Sequence, residues 1–204
     1  VNQKTYITDY CHISQSCIKH AGIEVFSAPD ISFSVFSKEA LKHFEVNYPK
    51  FFKMDNLSKL AFLSAEMLLG KFPLVEKKNV ALVLANKSAS LDTDVKHQQS
   101  ITDSVNYYPS PAVFVYTLPN ICLGEISIRH QLQTENVFFV FDQFPADFFS
   151  QYAQILFKEN KTDKVFCGWV EFFQDNYEAF AYLVSQKSGL YEHNSLMVKQ
   201  LFTK

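Results

Sequence analysis

The stretch TENVFFVFDQFPADFFSQYAQILFKEN, residues 134–160, decides how the rest of the chain is read. It begins with an apolar run at 137–141 that is too short for a helix and rich in β-branched and aromatic residues, the pattern of a strand buried on both faces. Asp142-Gln143-Phe144-Pro145 breaks that run. Beyond it, Phe148, Phe149, Tyr152, Ala153, Ile155, Leu156 and Phe157 wrap much of a helix, with Pro145 near the first turn, where a missing N–H costs little. A buried strand that turns sharply into a buried helix is where layered α/β enzymes often hold a nucleophile. The residue at this turn is Gln143, which cannot be one.

Working outward, strands and helices alternate. Residues 4–10 alternate as a first strand, and 31–36 read as a short strand. Ser37 is a helix N-cap for KEALKHF. Residues 57–69 form a second helix closed by Gly70. NVALVLA at 79–85 is a buried strand followed by a polar loop, NKSASLDTDVKHQQ. Residues 120–130 read as a helix in which Gly124 permits close packing. Residues 164–173 and 179–185 form a terminal hairpin around Asp175-Asn176, giving an antiparallel edge, and 194–202 form a last helix. This order predicts a single domain over 1–204: a three-layer α/β fold with a mixed, mostly parallel five-stranded sheet and an antiparallel edge strand.

Composition narrows the function. With 204 residues and 48% hydrophobic content the chain can bury a sizeable core, and 21 Phe against 5 Gly favours bulky packing over phosphate-cradling loops. A net charge of −2 without a basic stripe gives no reason to expect nucleic acid as a partner. No apolar run approaches the ~20 residues that span a bilayer, and the opening VNQKTYITDYCH has no signal-peptide core. No membrane partner and a cytoplasmic location are therefore expected. The four cysteines, Cys11, Cys17, Cys122 and Cys167, form no CxxC pair, and the irregular grouping of Cys11, His12, Cys17 and His20 argues against a zinc site. No metal and no cofactor is expected.

Four stretches in sequence carry a resemblance. YPKFFKMDNLSKLAF (48–62), NVALVLANKSASLDTD (79–94), SPAVFVYTLPNICLGEISIRHQLQTEN (110–136) and CGWVEF (167–172) are similar, in order, to the N-terminal half of a β-ketoacyl synthase of the thiolase fold. The resemblance places Gln143 at the position of that family's nucleophilic cysteine and implies no catalytic residue. It makes Phe138, Phe141, Phe144, Phe148 and Asn120 candidates for a pocket or an interface. The family's paired catalytic histidines come from a C-terminal half, and neither His130 nor His193 has their setting. Glutamine at the nucleophile position resembles the chain-length-factor partner of type II polyketide synthases and, among small proteins, components of aryl-polyene and flexirubin-type pigment clusters. What the resemblance implies is a non-catalytic subunit of fatty-acid or polyketide-type chain assembly, paired with a ketosynthase or with itself, with acyl carrier protein as a further partner. An acyl-carrier-binding decarboxylase or condensing enzyme using Gln143 is the alternative. The helix at 147–157 is expected to need an opposite apolar layer.

Overall fold

The computed structural model describes residues 4–102 and 107–204. Strand β4 (Val80–Asn86) is buried along its whole length. Val80, Leu82 and Leu84 enter the apolar core on one face of the sheet, and Ala81, Val83 and Ala85 enter the core on the other. That double burial is why its sequence is a continuous apolar run. Strands β5 (Asn136–Val140) and β6 (Lys164–Phe173) flank β4, both parallel to it. Strand β7 (Asn176–Ser185) folds back on β6 and pairs on its other side with β1 (Tyr6–Ser14). Strands β2 (Cys17–His20) and β3 (Ile23–Ser27) then extend the sheet, and β8 (Tyr191–Glu192) pairs with the start of β1.

The three-layer mixed α/β architecture is as expected. In detail the sheet has eight strands rather than five, in the order β3-β2-β1-β7-β6-β4-β5 with β8 beside β1. Only the two pairings of β4 are parallel; the other five are antiparallel. The terminal hairpin lies inside the sheet, with β7 between β6 and β1. The strand at 137–141 is not buried on both faces: β5 is an edge strand, half-buried at its centre and exposed at both ends.

One helical layer holds α1 (Phe33–His43), α2 (Asn56–Leu69) and α6 (Ile121–His130); the opposite layer holds α7 (Ala146–Lys158) and α8 (Ser195–Phe202). A 3₁₀ turn (Pro49–Lys53) and the shorter helices α3 (Leu74–Lys77), α4 (Leu91–Thr102) and α5 (Pro111–Val115) complete the fold. Helix α1 starts four residues before the expected cap, because Phe33 and Phe36, one turn apart, both point into the core. The polar stretch after β4 is a helix rather than a loop. Asp92 and Asp94 suit its first turn, at the positive end of the helix dipole.

Two details fix the register. A bulge between Ile7 and Asp9 flips the alternation of β1, so Ile7 and Tyr10 share one core while Cys11 and Ile13 face the other. At Gly168, on β6, an added Cβ would stand 2.7 Å from Leu84 Cδ2, so glycine lets β6 lie close against its neighbour.

Candidate functional site

Among parallel strands, loops at the carboxyl ends are the usual place for chemistry. Here these are the loop after β4 and the turn from β5 into α7. Asn86 pins the first: its amide donates to Ala89 O at 2.8 Å and accepts from Ala89 N at 2.8 Å. The Glu171 carboxylate accepts from Lys87 N and Ser88 N at 2.7 and 3.1 Å. The second loop is tied to the first where Phe141 N donates to Asn86 O at 2.9 Å.

The β5–α7 turn opens into a depression of about 510 Å³ lined by Phe141, Gln143, Phe144, Asp147, Phe148 and Lys199 among others. Gln143 lies exposed at its rim. Asp147, in the first turn of α7, accepts from Lys199 Nζ at 2.8 Å and from Ser195 Oγ. The lysine bond, then the serine bond, hold its carboxyl below the usual aspartate value. Asp147 thus places a carboxylate in the first turn of α7, where negative charge suits the helix dipole.

Phe144 decides how much room is left. Its ring stacks on Phe202 at 4.0 Å and meets Phe180 and Trp169 edge-on at 5.7 and 6.2 Å. The side chain beside Gln143 therefore fills the gap between the start of α7 and the end of α8. Phe139, Phe141, Phe148 and Tyr152 form a second aromatic group along the sheet edge, with centroid distances of 4.6 Å for Phe139–Phe148 and 4.9 Å for Phe141–Phe148. Of the expected site residues, Phe141, Phe144 and Phe148 come together with Gln143. Phe138 packs in the opposite core, and Asn120 is exposed at the start of α6.

No lining residue of the depression is a cysteine or a histidine. Cys11 and Cys122 are buried elsewhere, their thiols pushed well above the usual range by burial, and burial pushes Cys167 up to about 12. A thiol held protonated is a poor nucleophile. The cysteines and histidines near the N-terminus do not converge: Cys11 faces the α2 core, the His12 ring meets Phe180 at a tilt with centroids 4.6 Å apart, and His20 Nε2 sits 2.8 Å from Asp9. Among the described residues no group of three or more His, Cys, Asp or Glu could hold a metal, and no helix is long and apolar enough to cross a membrane.

The expectation that α7 needs an apolar layer over its outer side is corrected. Phe149, Ala153, Leu156 and Phe157 face the sheet, whereas Asp147, Gln151, Gln154 and Lys158 face outward with Ile155. That is the pattern of a helix with one solvated face.

Helix α6 is anchored by a buried polar group that periodicity alone could not reveal. Arg129 Nε donates to Glu66 Oε1 at 2.8 Å, His130 Nε2 faces the same oxygen at 3.2 Å, and Lys77 Nζ lies 3.3 Å from His130 Nδ1. Burial pushes the Glu66 carboxyl up, but hydrogen bonds from His130 and Arg129 outweigh it and hold the acid below its usual value. The i,i+4 pairing of Glu125 with Arg129 suggested by their spacing does not form. Glu125 instead takes Lys50 at 2.8 Å and the Tyr116 hydroxyl at 2.9 Å.

No family model matches the sequence, and no curated protein matches it. Solved structures do. A chain of the ishigamide ketosynthase/chain length factor superposes with a TM-score of 0.66 at 16% identity, covering 89% of this chain and 62% of that one. A chain of the complex of the ketosynthase ApeO with its chain length factor ApeC from Xenorhabdus doucetiae gives 0.58 at 16% identity, covering 91% and 80%. A chain of AntDE:AntF, a type II polyketide synthase acyl-carrier protein in complex with its ketosynthase, gives 0.63 at 10% identity, covering 97% and 65%. The chain has the thiolase-like fold of ketosynthases and chain length factors. It spans about 62% of the length of the first of these neighbours.

Proposed function

We propose that the chain is a non-catalytic, chain-length-factor-type subunit that pairs with an acyl-carrier-protein-dependent ketosynthase in fatty-acid or polyketide-type chain assembly. The observation that carries this reading is the depression at the β5–α7 turn. It presents an exposed amide, Gln143, a plug, Phe144, and neither thiol nor imidazole. Acyl transfer from a thioester needs a nucleophile there; the lining offers no thiol or hydroxyl, and its one amine, Lys199, is paired with Asp147 at 2.8 Å.

The edge strand supports the pairing. Glu135 O accepts from Leu82 N and Phe141 N donates to Asn86 O, so the odd-numbered residues of this stretch turn their backbone groups toward β4. By the alternation of a strand, Asn136, Phe138 and Val140 turn theirs to the open side. An uncovered edge of three donor–acceptor pairs next to half-buried aromatics is a template for another strand. The structural neighbours include complexes of a ketosynthase with its chain length factor, which favours a ketosynthase over a second copy as the mate. Acyl carrier protein would then be met through the complex.

The test is the mass in solution of the chain mixed with its candidate ketosynthase. A one-to-one complex that Val140→Lys abolishes supports the proposal. A homodimer that ignores the synthase refutes it, as does loss of carbon dioxide from malonyl-carrier that Gln143→Ala stops, which would establish the decarboxylase reading.

A further inference from the structure

A second hollow lies on the other side of the plug. Strand β1 is antiparallel to β7, and β7 is antiparallel to β6, so β1 runs parallel to β6 and β4. Its carboxyl end therefore lies at the same end of the sheet as the β5–α7 turn. Phe202, at the end of α8, stacks on Phe144 and stands nearly perpendicular to the His12 ring of β1, with centroids 6.4 Å apart. Beyond it the sheet surface opens into a depression of about 570 Å³, lined by His12, Ser14, Cys17, Lys19, Glu178 and Phe202 among others.

The strand register builds the floor. His12 pairs with Lys19 on β2 and with Phe180 on β7; Ser14, two residues on, pairs with Cys17 and Glu178. Paired residues, and residues two apart on a strand, share one face of a sheet. These six side chains form two adjoining rows on the face that carries α7 and α8. Phe180 is fully buried whereas Lys19 and Glu178 are exposed, so the helical layer stops partway across the floor.

A merely solvated face would pair its opposite charges across the strands. Here Glu24, directly opposite Lys19 on β3, accepts instead from the Cys17 thiol at 3.5 Å, and among the described residues Lys19 makes no ion pair. Its ammonium is close enough to His12 that burial first, and this charge second, lower the imidazole to about 4. The ring is neutral, and its Nε2 is buried without a hydrogen-bond partner among the described residues. Buried polar atoms are seldom left so. An unpaired ammonium, a neutral imidazole with an unmet nitrogen and a serine hydroxyl are the groups that a carboxylate satisfies.

We propose that this depression binds a small organic monocarboxylate, its head accepting from Lys19 Nζ, the His12 ring N–H and Ser14 Oγ, and its carbon chain lying toward Phe202. Size and charge select that class. The volume is that of a small-ligand site and far exceeds what a bare anion fills. Glu178, whose carboxyl burial pushes up, faces the same hollow and opposes a dianion more strongly than a monoanion. Lys204 also lines it and adds a cation. The inference goes beyond the ketosynthase-partner reading and does not rest on it.

Nuclear magnetic resonance of the isotope-labelled chain near neutral pH tests it, with hexanoate as the probe. Hexanoate should move the backbone amide signals of His12, Ser14 and Lys19 along one saturating curve, and inorganic phosphate at equal concentration should move them less. Lys19→Met keeps the aliphatic stem and removes the charge. It should weaken hexanoate binding at least tenfold, the worth of a charge-assisted hydrogen bond, and leave the melting temperature unchanged, because the side chain is exposed and unpaired. No saturating movement by about 10 mM hexanoate, tenfold above a millimolar dissociation constant, overturns the site. So does an equal response to phosphate, an affinity that Lys19→Met leaves unchanged, or movement confined to the signals around Gln143.

Discussion

Replacing Phe144 by alanine tests the claim that this ring closes the site. Full removal of a buried Phe side chain costs about 3–5 kcal/mol. Phe144 is half-buried, so roughly half of that, about 2 kcal/mol, is expected. For a chain of this length that lowers the melting temperature by about 4–8 °C. The stack on Phe202 should appear in a double-mutant cycle with Phe202→Ala as a coupling of about 1 kcal/mol. Trp169, the one tryptophan in the sequence, is 5% exposed and edge-on to Phe144 at 6.2 Å. Its emission therefore reports the site directly: Phe144→Ala should shift it to the red and make it more easily quenched by acrylamide. Unchanged emission together with a loss below about 0.5 kcal/mol would show that Phe144 is not wedged between α7 and α8, and that the site is open.

Other predictions concern charge and pH. Glu66→Ala strips Arg129 and His130 of their shared buried partner, and breaking such a group costs about 3–5 kcal/mol, readable by urea denaturation. The folded value of Glu66 lies below its unfolded one, so its contribution is full above the ordinary carboxylate range and is lost as pH falls through the folded value. Burial lowers His193 to about 4 from an ordinary 6.5. The unfolded chain thus takes up its proton first, and stability should fall between pH 6.5 and 4 by up to about 3 kcal/mol from this residue; His193→Asn should flatten that slope. Asp147→Asn removes an exposed pair with Lys199 and should leave the denaturation midpoint unchanged, as surface pairs generally do. Incubation with acyl-carrier thioesters should leave the chain without a covalent acyl adduct by mass spectrometry.

Much of this was legible in the residues and some was not, for physical reasons. Strand β4 could be read because both of its faces are buried, and helix α2 because Asp55 caps it, its carboxylate accepting from Ser58 N at 2.9 Å. Strands β2 and β3 escaped notice because the β1–β2 turn uses Gln15 and Ser16 with φ of 47° and 55°, left-handed angles that the usual Asn-Gly signal advertises and these residues do not. Helix α4 was hidden because Thr93 is its only buried residue, leaving no apolar stripe. Strand β5 read as buried on both faces because its central aromatics do meet a helical layer on each side, Phe139 against Phe148 and Tyr152 of α7 and Phe138 in the opposite core; how far that shelter is only partial is not written in the composition. The position of Gln143 at a strand-to-helix turn was visible; its exposure, and the plug beside it, depended on α8, 50 residues further along.

The claim that β5 is the joining edge is tested most directly by amide hydrogen exchange at Asn136, Phe138 and Val140, measured with and without the ketosynthase. Pairing with a mate strand predicts that these three amides, open in the free chain, become protected in the complex, while those of Val137 and Phe139, already turned toward β4, change little. Exchange at the three that is as fast in the complex as in the free chain would contradict it.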